Sequence, residues 1–260
     1  MSLPLHEKKI LVTRERSQAK TLSDKILKNG GTPVEIPLLK ISCKKEVNTE
    51  NTLRNLSNYR WIFFTSINGV QCFFKHLNRL NISVESLKKM KIAVVGRKTG
   101  QALNEYGLSP AFIPTIYNAE NMADEFLQTV EHVEPILIVR GNRSRNVLLR
   151  RFNQLNIPYQ TIEVYETASN VEIRDQLEQT LKKNEFDFIT FTSPSAVEAY
   201  MEMANRGSNY KNTLKTNCVC IGTTTEQRAN ELGFVHTITP YEFTVDGMIE
   251  CMSKYLREDN

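Results

Sequence analysis

Sliding the chain along itself by 126 residues places Ile10, Leu11 and Arg14 on Ile136, Leu137 and Arg140. The same shift brings Gly96, Thr99, Gln101, Asn104, Glu105 and Gly107 onto Gly222, Thr225, Gln227, Asn230, Glu231 and Gly233, and Pro114 and Met122 onto Pro240 and Met248. A shift of 127 superimposes Phe64-Thr65-Ser66 and Val70 on Phe191-Thr192-Ser193 and Val197. Four segments that match in the same order at nearly one offset make the chain two copies of one unit, so whatever it folds into is built twice.

Each copy alternates short apolar runs with longer amphipathic ones. In the first, Lys9 to Val12 reads as a strand, and Ala19, Leu22, Ile26 and Leu27 form one helical face that Gly30-Gly31 ends. Val34 to Ile36, Arg60 to Phe64, Ile92 to Val95 and Ala111 to Ile113 are further strands, with helices after Ser66, after Lys98 and from Asn121 to Val130. The second copy offers Pro135 to Val139, Tyr159 to Val164, Asp187 to Phe191, Asn217 to Ile221 and His236 to Ile238 as strands. Strands that are apolar on both faces and alternate with helices predict parallel sheets covered on both sides, hence two small doubly wound α/β domains. At 260 residues the chain has the length for two such domains, each large enough to bury a core.

Composition narrows the function classes. The longest clean apolar runs, Trp61 to Phe64 and Ile136 to Val139, are four residues long, too short to span a bilayer. Met1 to Lys9 lacks the apolar stretch of a secretory signal, so a cytoplasmic location is expected. The five cysteines (Cys43, Cys72, Cys218, Cys220, Cys251) form no C-x-x-C pair and read as reduced structural thiols. His6, His76, His132 and His236 lie far apart without metal-site spacing, so no metal is expected. A net charge of +4, from 33 basic residues interspersed with 29 acidic ones, is too weak for nucleic acid but suits a small polyanion.

In open parallel sheets ligands bind beyond the carboxyl ends of the strands. The residues there are Thr13-Arg14, Thr65-Ser66, Gly96 to Thr99, Arg140-Gly141, Thr192-Ser193 and Gly222 to Thr225, nearly all hydroxyl, glycine or arginine. At helix N-termini such residues offer uncommitted backbone N–H groups, a positive dipole end and hydroxyl donors, a combination that binds anions. The same Ser and Thr also suit ordinary helix caps, and Arg14 and Arg140 suit ion pairs with a neighbouring helix. No G-x-G-x-x-G follows a strand, Val94 to Thr99 lacks the glycine and Gly-Lys pair of a P-loop, and no G-x-S-x-G elbow exists. Nucleotide cofactors and triad hydrolysis are thereby disfavoured. A non-catalytic two-domain module closing on a small polyanion, and a sugar-phosphate or nucleotide enzyme, remain as alternatives.

The strings ILVTR at 10–14, FTSINGV at 64–70, VVGRKTGQAL at 94–103, VRG at 139–141, VYET at 164–167, FTSPSAVEAY at 191–200, CIGTTTEQRANELG at 220–233 and TVDGM at 244–248 resemble those of the uroporphyrinogen-III synthase family. The resemblance runs through almost the whole chain. It implies two flavodoxin-like domains joined by two extended linkers, with residues 1–36 and 169–260 in one domain, 37–168 in the other, and linkers at Pro33 to Leu38 and Thr161 to Ala168. It also implies a cofactor-independent cyclisation of hydroxymethylbilane, a linear tetrapyrrole with eight carboxylates, through an azafulvene and a spiro intermediate that inverts ring D. The family's linker tyrosine falls on Tyr165, a proton or hydrogen-bond donor to the leaving hydroxyl. Its glycine-loop threonines fall on Thr99 and Thr225, expected to cap their helices and face the substrate. Ser66, Asn68, Ser193, Ser195 and Thr224 would present donors to the acid arms, while Arg14, Arg140 (with Gly141) and Arg145 would sit near carboxylates. A monomer is expected, in transient contact with the enzyme that makes the substrate, with no nucleic-acid or membrane partner.

Overall fold

The computed structural model describes residues 3–44, 50–129, 135–204 and 210–258; Met1, Val130 and His132 lie outside them. In chain order the elements are β1 (Lys9–Val12), α1 (Arg16–Lys28), β2 (Thr32–Glu35), β3 (Leu39–Cys43), α2 (Glu50–Arg54), β4 (Trp61–Phe64), α3 (Ile67–Arg79), β5 (Lys91–Val94), α4 (Arg97–Asn104), α5 (Ala119–Thr129), β6 (Ile136–Gly141), α6 (Val147–Gln154), β7 (Tyr159–Ser169), α7 (Arg174–Lys183), β8 (Phe188–Phe191), α8 (Pro194–Ala204), α9 (Tyr210–Thr213), β9 (Asn217–Cys220), α10 (Thr223–Glu231), β10 (Thr237–Ile238) and α11 (Val245–Glu258). They divide into two compact units, Met1–Lys40 with Ala168–Asn260, and Ile41–Thr167.

The first unit carries the sheet β2-β1-β8-β9-β10, whose pairings are all parallel. Numbered within the unit, that order is 2-1-3-4-5, the flavodoxin-like arrangement. Alternate strand residues face opposite sides. Ile10, Val12, Phe188 and Val219 pack under α1 and α11, through Ala19, Leu22, Ile26, Met248 and Met252. Leu11, Ile189, Phe191, Cys218 and Cys220 pack under α7, α8 and α10. The second unit has the order β3-β7-β6-β4-β5, with β7, β6, β4 and β5 paired in parallel. There Ile62, Phe64, Val94, Leu137 and Val139 meet Val70, Phe73, Leu77 and Leu103 of α3 and α4, and Phe63 and Ile138 meet Phe126 and Phe152 of α5 and α6.

The two copies share one pairing register. Ile10 pairs with Phe188, and the repeat counterparts Ile136 and Trp61 pair likewise. Phe188 with Asn217 matches Trp61 with Lys91, and Ile10 with Pro33 matches Ile136 with Tyr159. Yet each unit draws on both copies: β1 and β2 of the first join β8 to β10 of the second, and β6 and β7 of the second join β4 and β5 of the first.

Several expectations are corrected. Leu27 is not on the buried face of α1 but 57% exposed, because the burial stripe runs through Ala19, Leu22, Ser23 and Ile26. The strand expected at Ala111 to Ile113 shrinks to one bridge, Ala93 with Phe112, in a segment that Pro110 and Pro114 confine. The first expected linker is part strand, since Pro33 to Glu35 belong to β2, and β3 follows it directly. The second, Thr161 to Ala168, lies wholly within the eleven-residue β7. The cysteines are not all reduced: Cys43, ending β3, and Cys72 on α3 form a disulfide with Cα atoms 5.2 Å apart. Parity and the absence of C-x-x-C say nothing about residues brought together by packing a helix over a sheet. Cys218, Cys220 and Cys251 are free thiols, and burial pushes the Cys251 thiol up to about 11.

Candidate functional site

In the second unit β4, β6 and β7 are neighbours: Ser66 follows β4, Arg140-Gly141 end β6, and Tyr165 lies within β7 opposite Gly141. The β6–β7 register slips there: Arg140 pairs with Glu163, but Gly141 pairs with Tyr165. A bulge of this kind re-aims a side chain. It turns Tyr165 into the same buried cluster as Val164, where its ring lies against Gly141. A Cβ at Gly141 would collide with the ring, so only glycine leaves room. Tyr165 is 8% exposed.

A directed chain of hydrogen bonds ends on this tyrosine. Ser66 is the N-cap of α3 and its Oγ accepts from the Gly69 backbone N–H at 3.0 Å. The same Oγ donates to the Tyr165 hydroxyl oxygen at 3.1 Å. One turn beyond Cys72, buried His76 bonds the Val164 carbonyl at 3.1 Å and holds β7 against α3. Burial drives the His76 pKa below its ordinary value, the Val164 bond opposing and Arg79 adding to the shift, so the ring is a neutral donor.

Arg140 is only 9% exposed. Its guanidinium donates to the Ser144 carbonyl at 2.6 Å and Asn146 Oδ1 at 2.8 Å, while its Nε has no hydrogen-bond partner. Ser144 Oγ in turn accepts from the Gly141 N–H at 2.9 Å. Ser144 and Asn146 are site-forming residues that strand-end reading missed; their signal was the run of polar side chains from Asn142 to Asn146. Arg145 is exposed.

The first unit carries a serine cap and an arginine at the ends of β8 and β1, as the second does at β4 and β6. Ser193 caps α8, its Oγ accepting from the Ala196 N–H at 3.2 Å and lying 3.1 Å from Ser195 Oγ, as Ser66 caps α3. Arg14 donates to Gln18 Oε1 at 2.8 and 3.1 Å; burial lowers its pKa while Glu15 raises it. The caps of α4 and α10 are Gly96 and Gly222, without side-chain cap bonds. Thr99 and Thr225 are therefore not caps; they sit at the third helical position, 5% and 2% exposed, because the apolar layer beneath claims that position. Thr224 is exposed and Asn68 half-buried. Among the described residues, no group of three or more His, Cys, Asp or Glu is placed to hold a metal ion.

The family model described as uroporphyrinogen-III synthase HemD matches residues 20–250. The chain belongs to the uroporphyrinogen-III synthase family. These are enzymes of porphyrin biosynthesis. The porphyrin biosynthesis protein HemD of Ruminiclostridium josui is 30% identical over 251 residues, which cover 96% of this chain and 49% of that protein. The chain thus spans about half the length of that relative. The uroporphyrinogen-III synthase of Chlorobaculum parvum is 27% identical over 252 residues, 96% of this chain and 100% of its own. The fold is that of the synthase from Helicobacter pylori, at a TM-score of 0.63 and 16% identity over 96% of this chain and 100% of that one. A mutant synthase from Thermus thermophilus matches at 0.61 and 18%, over 97% and 99%. The two-copy α/β fold thus coincides with the family match. Among the described residues no helix is long and apolar enough to cross a membrane.

The packing of Tyr165 on Gly141 yields a direct test. Gly141→Ala is expected to force the ring off its seat at a cost of about 1–3 kcal/mol, read as a lowered urea midpoint, with synthase activity lost in step. Wild-type activity in Gly141→Ala would mean that the seating of the ring is immaterial.

Proposed function

We propose that the chain closes hydroxymethylbilane to uroporphyrinogen III with loss of water and inversion of ring D. The observation that carries this reading is the Tyr165 hydroxyl, fixed at the strand ends by Ser66 in a chain that the family model matches. Ser66 gives its proton to the tyrosine oxygen, so the Tyr165 proton is left to donate outward, to the departing hydroxyl. The pyrrole nitrogen lone pair expels that hydroxyl as water, and the pyrrole N–H proton passes back to the tyrosine oxygen, which leaves the neutral azafulvene electrophile. Bond formation at the substituted carbon of ring D then gives the spiro intermediate; the older bond from that carbon to the neighbouring methylene breaks, the freed methylene bonds the unsubstituted carbon of ring D, and that carbon loses its proton. Because unassisted closure gives the uninverted isomer, holding the chain ends in the productive arrangement is the main catalytic resource.

The acid arms supply the affinity. Ser66, Asn68, Ser193, Ser195 and Thr224, with the opening N–H groups of their helices, receive carboxylates. Thr99 and Thr225 are buried and do not reach the arms. The unsatisfied Nε of Arg140 is costly when buried, and a carboxylate brought to it relieves that cost. Arg14, at the corresponding strand end, takes another arm, and Gly141 gives the tyrosine its place. The reading carries with it a cytoplasmic, monomeric enzyme in transient contact with the producer of its substrate. A purely binding module is not favoured, because the family is one of enzymes.

The test is to generate hydroxymethylbilane in situ, add the protein, oxidise the products and resolve the isomers. The type III isomer is expected, and recovery of type I alone would sink the proposal.

A further inference from the structure

Carrying the repeat through to side chains outside the strand-end motifs pairs Tyr117 with Phe243, one offset of 126 apart. Both rings do the same thing. Tyr117 lies over Gly96, where a Cβ would stand 3.3 Å from its Cβ and Cγ, and Phe243 lies over Gly222, where a Cβ would stand 3.2 Å from its Cγ. Those glycines have φ of −176° and −170°, extended backbone that any residue adopts. Conformation therefore does not require glycine; a Cβ there would press on the side chain above it. Both copies have kept the pair of glycine and aromatic.

Burial does not account for the rings. Tyr117 is 50% exposed and Phe243 57% exposed, one face on the glycine and the rest open. Each stands beside the loop that follows a strand, β5 in one unit and β9 in the other, at the edge where an open sheet receives its ligand. The Arg97 guanidinium lies 5.8 Å from the Tyr117 ring centre, placing a cation beside an aromatic face. Phe243 lines a cavity of about 890 Å³ together with Thr223 and Tyr241. Glu226, Glu242, Glu250 and Lys254 line the same cavity, and the open face of the ring offers contact to a flat group. A pyrrole is such a group, and flat rings pack on aromatic faces in offset stacks.

We propose that Tyr117 and Phe243 are equivalent stacking platforms, each offering its face to a pyrrole at the strand ends of its own unit. The inference rests on the synthase reading. The platforms are positioning residues: they fix where a pyrrole lies and exchange no proton.

The experiment compares wild type with Tyr117→Leu, Phe243→Leu and Tyr117→Phe in two assays. One measures kcat and KM on hydroxymethylbilane generated in situ, with the isomer ratio. The other titrates uroporphyrin III, a flat tetrapyrrole that needs no turnover, by the shift of its Soret band. Each leucine variant is expected to raise KM and the uroporphyrin Kd roughly three- to tenfold, with kcat within about twofold and the urea midpoint unchanged. Tyr117→Phe should behave as wild type. Unchanged KM and Kd in both leucine variants, beside a wild type that makes type III, would overturn the platforms and leave the synthase reading standing. If wild type makes only type I, the synthase reading falls and the uroporphyrin titration decides alone: weaker binding by the leucine variants upholds the platforms, while equal or absent binding overturns them. Should a leucine variant unfold, methionine at the same position replaces it.

Discussion

Tyr165→Phe is expected to lower kcat by roughly a hundred- to ten-thousandfold while leaving uroporphyrin binding nearly unchanged, the range for removing one positioned proton donor. The substitution deletes a single oxygen. The ring stays on Gly141 and in the buried cluster with Val164, so the fold of the second unit is preserved. What is lost is the end of the chain that runs from the Gly69 N–H through Ser66 Oγ to the tyrosine oxygen. The direction of that chain gives the prediction its force. A backbone N–H can only donate, so Ser66 Oγ accepts from it and has its own proton to give. Receiving that proton, Tyr165 has its own free for the substrate. Ser66→Ala is a useful companion: it leaves the phenol but removes its orientation and a helix cap worth about 1 kcal/mol. It should slow turnover less than Tyr165→Phe and lower the urea midpoint, which Tyr165→Phe should hardly move. Full turnover by Tyr165→Phe would reduce the tyrosine to a packing residue.

Much of this architecture was legible in the sequence, for physical reasons. Strands such as Trp61 to Phe64 are buried on both faces, so apolar runs mark them cleanly. Their ends are marked equally well, because a helix that starts at once needs Ser66, Ser193, Gly96 or Gly222 at its opening. The exchange between copies was not legible from the residues. Ile10 can pair with Phe188 or Trp61 in the same register, since the two copies carry equivalent strands, and only loop lengths and packing choose. The strand read as Tyr159 to Val164 extends to Ser169 in β7, because Glu166 and Thr167 break its apolar run without ending its pairing. The bulge that sets Tyr165 opposite Gly141 leaves no sequence mark at all beyond the glycine. Thr99 and Thr225 were misread as caps because Thr in a first turn looks alike whether it caps or is buried; the glycine before each turn, under an aromatic ring, decides it.

Breaking the Cys43–Cys72 disulfide, by Cys72→Ser or by a dithiol reductant, is expected to destabilise the second unit by about 3–4 kcal/mol. The bridge spans 29 residues of sequence, and closing a loop of that size removes chain entropy from the unfolded state. It also joins two elements that frame Tyr165: β3, in the same sheet as β7, and α3, which bonds β7 through Ser66 and His76. The chain has one tryptophan, Trp61, and it lies in the second unit, packed on Phe126. Its fluorescence therefore follows unfolding of that unit alone, which matters because two units need not unfold in one step. A lower Trp61 urea midpoint is expected for the reduced protein and for Cys72→Ser, with no further change when the variant is treated with dithiol. The reductant control separates the crosslink from the small loss of packing at buried Cys72. Identical midpoints with and without reductant would mean that the two sulfurs stabilise the unit only as neighbouring core atoms, since a covalent closure of that length cannot be cut without releasing entropy to the unfolded chain.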